Sequence, residues 1–299
     1  MIFDTHAHYN DKQFDADRDE LLSSMSEQNV GTIVNVGASF SDCKNGLALA
    51  KKYPFVYAAV GLHPDDVGEL EAAEPVGSAG ESGVVKDAVS GGEAGGAEGL
   101  SGNTVFDWLR ETAKNEPKVV AIGEIGLDYH WNVEPHDIQE KWFRRQLDLA
   151  EELHLPVSVH SRDAAEDTLR ILKEYAGRIT AVMHCYSYSP ELAEEYVKLG
   201  YYFGVGGVVT FKNGKKLKRT VEAVPMDRIL LETDCPYLAP DPYRGKRNQS
   251  GYIDFVAAEI ARLKGLTKEE VIAVTKENAK RFFRLTDMQG IEQMHDTRG

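Results

Sequence analysis

Cysteine is scarce in this chain: three residues in 299, at positions 43, 185 and 235, with no CxxC or finger-like spacing. Thiols so few and so scattered exclude a disulfide framework and a zinc-finger module, and they fit a reducing compartment. Long apolar runs are missing too. No stretch approaches the roughly 20 apolar residues that a membrane helix needs, and the opening Met1-Ile2-Phe3-Asp4 shows no basic region followed by an apolar signal core. The expectation is a soluble, cytoplasmic protein with no membrane association and no evident stable protein partner. Positive charge is the third shortage, with 34 Lys and Arg against 48 Asp and Glu and a net charge of −14. A protein that gripped duplex nucleic acid by its own charge would show the reverse balance. Nucleic acid as a substrate stays open, because bound metal ions supply local positive charge.

The 42% of hydrophobic residues suffices for a large core. Short apolar runs fall at 1–4, 32–36, 56–60, 119–123, 157–159, 179–183, 201–205 and 229–231. Helix-like segments lie between them, around 15–28, 41–52, 104–115, 136–154, 163–175, 190–199 and 213–223, and two more follow near 250–264 and 267–281. Near-continuous apolar runs alternating with helices are the pattern of parallel strands buried on both faces. Eight such units predict an α/β fold, a closed (β/α)8 TIM barrel, over an open doubly wound sheet. The absence of a Gly-x-Gly-x-x-Gly turn after the first strand weakens the dinucleotide-binding alternative. Ser189-Pro190 and Thr267 with Glu270 read as helix starts, Gly200 and Gly265 as helix stops.

One barrel domain is expected over 1–286, with a loose tail over 287–299. Residues 71–103 break the rhythm, being rich in Gly, Ala, Ser, Glu and Val with almost no large side chains. Such a composition buries too little apolar surface to offset ordering entropy, so a flexible insertion after the third strand is expected.

Chemistry-bearing residues collect at the strand exits. His6 and His8 end the first strand, Glu124 follows the fourth, His160 the fifth, His184 the sixth and Asp234 the eighth. These are carboxyl ends of strands, the barrel face that carries active sites. Residues two apart on a strand project to one side, so His6 and His8 can grip one ion together. Any single histidine is more simply a satisfied structural residue, but four with two acids, all at strand exits, are poorly explained that way. Six ligand candidates exceed the three or four that one catalytic ion takes from protein. Two divalent ions bridged by one carboxylate fit better, with Zn²⁺, Mn²⁺ or Mg²⁺ compatible with the donors. His63, in Gly61-Leu62-His63-Pro64 at the third strand exit, faces the same site as a substrate or water contact. Asp4 reads as a structural or supporting acid rather than a ligand. Arg162, two residues past a ligand, is a phosphate candidate. The loop 236–251 carries Arg244, Lys246 and Arg247, readable either as a second phosphate patch or as an ordinary solvated loop.

The motifs Phe3-Asp4-Thr5-His6-Ala7-His8, Gly61-Leu62-His63-Pro64, Gly123-Glu124-Ile125-Gly126-Leu127-Asp128-Tyr129, His160-Ser161-Arg162-Asp163-Ala164, His184-Cys185-Tyr186-Ser187 and Glu232-Thr233-Asp234-Cys235-Pro236 occur in this order. So arranged, the chain resembles the TatD family of metal-dependent deoxyribonucleases, within the amidohydrolase-like barrel superfamily. Asn278-Ala279-Lys280-Arg281-Phe282-Phe283 resembles the closing helix of that family. The resemblance implies that His6, His8, Glu124 and Asp234 hold one ion and that Glu124, His160 and His184 hold the second. It also makes Glu124 the bridge and Asp234 the general base. The implied activity is hydrolysis of DNA phosphodiesters, at single strands or ends. The rival expectation is hydrolysis of a small amide or ester, including a mischarged aminoacyl-tRNA. Two departures stand out: the long 71–103 segment, and Asn248-Gln249-Ser250 where the family has Asn-Glu-Pro.

Overall fold

A computed structural model describes residues 1–68, 71 and 102–285 of the chain. The insertion expected over 71–103 lies outside the described residues except at Glu71, Gly102 and Asn103, and the expected 287–299 tail lies outside them entirely. Eight parallel strands form one sheet in sequence order. They are β1 (Ile2–Ala7), β2 (Val30–Val36), β3 (Val56–Val60), β4 (Val119–Asp128), β5 (Val157–Arg162), β6 (Ala181–Met183), β7 (Tyr202–Val205) and β8 (Ile229–Leu231). Around them run α1 (Arg18–Ser23), α2 (Phe40–Lys52), α3 (Gly102–Asn115), α4 (His136–Leu153), α5 (Ala165–Glu174), α6 (Pro190–Lys198), α7 (Lys215–Ala223), α8 (Ile253–Lys264) and α9 (Lys268–Phe283). This is the (β/α)8 barrel expected from the alternation of apolar runs and amphipathic segments.

Two boundaries differ from the sequence expectation in ways that matter to the site. β4 continues from Val119 to Asp128 and β5 to Arg162, so Glu124 and His160 lie inside strands rather than after them. Gly123 and Gly126 interrupt the apolar run of β4 in sequence without interrupting the strand. α1 covers only Arg18–Ser23, because residues 24–29 continue as tight turns, with Met25 N–H bonded to Leu22 O and Gln28 N–H to Met25 O. The expected helix punctuation is present: Ser189 caps α6, Thr267 and Glu270 form a capping box on α9, and Gly265 ends α8 at φ 67.

Inside the barrel, Phe3, Val34, Val36, Ala59, Ala121, Val182, Tyr202 and Leu230 pack into one buried cluster drawn from seven of the strands. Phe282, Phe283 and Leu285 close its lower end, with Phe283 stacked on Phe3 at 5.7 Å between centroids. This apolar plug leaves the opposite, carboxyl end of the strands for polar side chains.

The seam between β8 and β1 lacks a regular ladder and is closed by specific polar contacts. Thr5 Oγ1 donates to Leu231 O (3.0 Å), Asp234 N–H to His6 O (2.9 Å) and His8 N–H to Cys235 O (2.8 Å), and Ala7 bridges Cys235. Asp4 sits fully buried behind this seam. Its carboxyl accepts from Thr233 Oγ1 (2.7 Å), Ser250 Oγ (2.6 Å), Thr233 N–H (3.1 Å) and His6 N–H (3.3 Å). Burial nevertheless outweighs these bonds and pushes the Asp4 carboxyl up to about 7. The structural reading of Asp4 therefore agrees with its contacts. Ser250, one of the departures from the family pattern, ties the loop after β8 to Asp4 and to Tyr9, whose hydroxyl lies 2.8 Å from Ser250 Oγ.

Candidate metal centre

The six ligand candidates converge at the mouth of the barrel around Glu124, which is 5% exposed. Its Oε2 lies 3.4 Å from His6 Nε2 and 3.9 Å from His8 Nε2. Its Oε1 lies 2.7 Å from His160 Nδ1 and 3.8 Å from His184 Nε2. One carboxylate thus presents a separate oxygen to each of two histidine pairs. Asp234 Oδ1 adds contacts to His8 Nε2 (3.3 Å) and His184 Nε2 (3.7 Å), and the Nε2 atoms of His6 and His8 face each other at 3.1 Å.

Backbone geometry makes this convergence possible. Gly126 takes φ 149, and a Cβ there would meet His160 O at 1.9 Å, so only glycine lets β4 and β5 approach beside the ligands. At Gly204 a Cβ would stand 2.0 Å from Glu232 Oε2, so the missing side chain of β7 leaves room for that acid. Asp234 takes φ 57, a left-handed conformation that Asp tolerates better than most residues, and it turns the carboxylate back over the mouth.

Each histidine turns its other ring nitrogen toward a polar neighbour, hydrogen-bonded in His6, His8 and His160 and an ion-pair contact without hydrogen-bond geometry in His184. His6 Nδ1 lies 3.2 Å from Ser158 Oγ, His8 Nδ1 2.9 Å from Val36 O, His160 Nε2 3.0 Å from Asp128 Oδ2, and His184 Nδ1 3.2 Å from Glu232 Oε1. Metal-binding histidines are held in this way by carboxylates and carbonyls that fix ring orientation. Asp128 and Glu232, which stand within the sequence motifs, hold positions that strand placement alone does not mark as anchors. For Glu232 a signal existed: it stands two residues before Asp234, the same spacing that pairs His6 with His8.

The electrostatics follow from this packing. Burial pulls the His184 imidazole down, but Glu232, Glu124 and Asp234 overcome it and hold it at about 10. For His160, burial is likewise outweighed by Asp128 and Glu124, giving about 9. Burial would raise Glu124, yet the His184, His160 and His6 imidazoles keep it well below the usual carboxylate range. His6 is lowered, by burial first and by its neighbour His184 second. The donor set decides whether metal ions fit here: four imidazole nitrogens and two carboxylates converge, and no ammonium or guanidinium enters these contacts with Glu124. Basic nitrogens facing each other at 3.1 Å beside buried carboxylates suit divalent cations of the Zn²⁺, Mn²⁺ or Mg²⁺ type.

His63 also faces the site, its ring centroid 4.4 Å from that of His160. Its Nδ1 accepts Asp65 N–H at 3.2 Å, and burial lowers it to about 4, so it is a neutral imidazole. Arg162 lines the mouth, with its guanidinium 5.2 Å from the Trp131 ring centroid. Arg244 is placed elsewhere: it lies over the Phe211 ring at 4.3 Å and is not among the residues lining the mouth. Arg247 is occupied by Asp17 and by Gln13 O. The mouth is a cleft of about 530 Å³ lined also by Asp11, Asp42, Asp65 and Asp66. Among the described residues, Arg162 is the one Arg or Lys lining it.

Fold and site together define a metal-dependent hydrolase of the parallel β/α-barrel type. The family model described as TatD related DNase matches residues 3–284, and the chain belongs to this family. A Bacillus subtilis protein named uncharacterized metal-dependent hydrolase YabD is 42% identical over 286 residues, which is 95% of this chain and 100% of that protein. The protein from Salmonella typhimurium named 3'-5' ssDNA/RNA exonuclease TatD is 28% identical, covering 94% of this chain and 98% of its own length. Among solved structures, the TatD homolog YJJV of Escherichia coli superposes with a TM-score of 0.79 at 28% identity, covering 95% of this chain and 98% of that one. No helix among the described residues is long and apolar enough to cross a membrane.

Proposed function

We propose that this chain hydrolyses phosphodiester bonds of DNA, at single-stranded segments or ends, using two divalent ions. The observation that carries the reading is Glu124, whose two carboxylate oxygens face different histidine pairs, as a bridging ligand requires. In this reading His6, His8, Glu124 and Asp234 hold one ion, and Glu124, His160 and His184 the other. Bound there, such ions activate water and neutralise charge developing on the phosphoryl oxygens. Asp234 takes the proton of the attacking water, a role open to it because Oδ1 lies at the cluster while the side chain keeps partial access to the cleft. Neutral His63, its Nδ1 already accepting Asp65 N–H, carries its proton on Nε2 and donates a hydrogen bond to substrate without adding charge. Arg162 contacts a phosphate oxygen. Arg244, lying over Phe211, would reach substrate only at a distance from the reacting bond.

A second reading, hydrolysis of a small ester or amide or of a mischarged aminoacyl-tRNA, is favoured by one observation. Asp11, Asp42, Asp65 and Asp66 give the cleft an acidic rim that suits a substrate ammonium group better than a run of phosphates. Incubating the purified chain with labelled single-stranded DNA and Mg²⁺, Mn²⁺ or Zn²⁺ separates the two. Metal-dependent release of nucleotides is expected; turnover of an aminoacyl ester with intact DNA would replace the first reading by the second.

A further inference from the structure

Trp131 is the most exposed large aromatic residue among those described, at 62%. It is nevertheless held at one place. Its backbone N–H donates to Asp128 Oδ1 (3.1 Å), while Asp128 Oδ2 lies 3.0 Å from the ring nitrogen of His160. His130 meets the indole edge-on at 4.9 Å and is itself tied by Nδ1 to Asp163 Oδ2 at 2.9 Å. The Arg162 guanidinium lies over the indole at 5.2 Å, and Arg162 lines the cleft. An indole left in water, yet packed by His130 and Arg162 on a backbone that Asp128 ties to His160, is a built surface rather than a loose loop residue.

Charge says what crosses that surface. Asp11, Asp42, Asp65 and Asp66 follow β1, β2 and β3, so that side of the rim repels phosphate. Arg162, at the end of β5, is the one cation lining the cleft among the described residues, and it stands beside Trp131 after β4. A polyanion whose scissile phosphate occupies the cluster therefore leaves over the β4–β5 rim.

The geometry points to Trp131 as a stacking platform for a base of a single-stranded nucleic acid next to the scissile phosphodiester, with Arg162 bound to a phosphate and sandwiching the indole from its other face. This rests on the nuclease reading. Stacking on an aromatic face is sequence-tolerant because every base offers a π-face, so the platform favours unpaired strands over particular sequences. Trp131 positions substrate and touches no reacting atom.

The test uses kinetics and fluorescence on the intact chain. Trp131→Ala is expected to raise KM for single-stranded DNA about 5- to 150-fold, the range for loss of one stacked base, with kcat little changed. Trp131→Phe keeps a ring and should recover most of the loss. On an oligonucleotide with abasic sites flanking the cleaved bond, wild type and Trp131→Ala should share one KM. In an Asp234→Asn background loaded with Mg²⁺, oligothymidylate should quench tryptophan emission, and the added Trp131→Ala change should abolish the quenching. Cleavage of DNA with unaltered KM in Trp131→Ala, or quenching that persists in it, overturns the platform and leaves the nuclease reading standing. Failure of the wild type to cleave single-stranded DNA overturns both.

Discussion

Each of the four histidines at the barrel mouth has one ring nitrogen toward Glu124 or Asp234 and the other toward an anchor. The anchors Asp128 and Glu232 are buried and set the direction of the His160 and His184 rings. Asp128→Asn and Glu232→Gln should weaken metal binding about 10- to 100-fold, as loss of such orienting carboxylates does. Competition against a chromogenic chelator reads this directly, and wild-type affinity in both variants would show that the anchors are dispensable. The same carboxylates raise His160 to about 9 and His184 to about 10, above the ordinary value of 6.5. Without metal, both imidazoles hold their protons at neutral pH, and a ligating imidazole must give its proton up. Metal affinity should therefore climb as pH rises through 7 toward 9 and fall as pH drops. Calorimetry of Zn²⁺ binding near pH 7 in two buffers of different ionisation enthalpy should show protons released, and identical heats in both would contradict this.

At the scale of elements, the contacts that join β8 to β1 matter most, because β1 carries His6 and His8 and the turn after β8 carries Asp234. Thr233 holds that junction: its hydroxyl donates to Asp4 and accepts Cys235 N–H at 3.2 Å. Thr233→Val keeps the shape and leaves a buried acid short of a donor, which should cost about 1–3 kcal/mol in urea unfolding. A change within experimental error would mean the seam does not depend on this bond. The strands themselves were legible in sequence because parallel barrel strands are apolar throughout, and β3 and β8 end where their apolar runs end. β4 runs beyond its apolar stretch for a physical reason. Its second half, Glu124 to Asp128, mixes glycine and acid with apolar residues, and pairing with β5 keeps it extended regardless. The ligand candidates could be found because they stand in the carboxyl-terminal halves of their strands or just past them. The role of Asp128 could not, since a spacing of four from Glu124 does not reveal that both acids contact opposite nitrogens of one His160 ring. Arg244 shows the converse: a basic residue near a site in sequence can be spent on an aromatic face instead.

For the whole molecule, an apolar plug at one end of the barrel and a polar, acid-rimmed mouth at the other concentrate the chemistry on one face. The net charge of −14 makes the fold a poor generic binder of nucleic acid. On the proposed nuclease reading, affinity for a phosphodiester would then come from the ions and from a few local contacts such as Arg162. DNA cleavage should accordingly stop on chelation, and strand binding should vanish with it; DNA binding that survives EDTA unchanged would assign affinity to some other surface. Glu124 is proposed to bridge two ions, and the two-ion chemistry of the site depends on that bridge. The most direct check is metal content, measured by plasma mass spectrometry on the purified chain after equilibration with excess Zn²⁺ or Mn²⁺ and removal of free ion. Two ions per chain are expected, falling in Glu124→Gln; a wild-type stoichiometry that never exceeds one would rule out a Glu124 bridge.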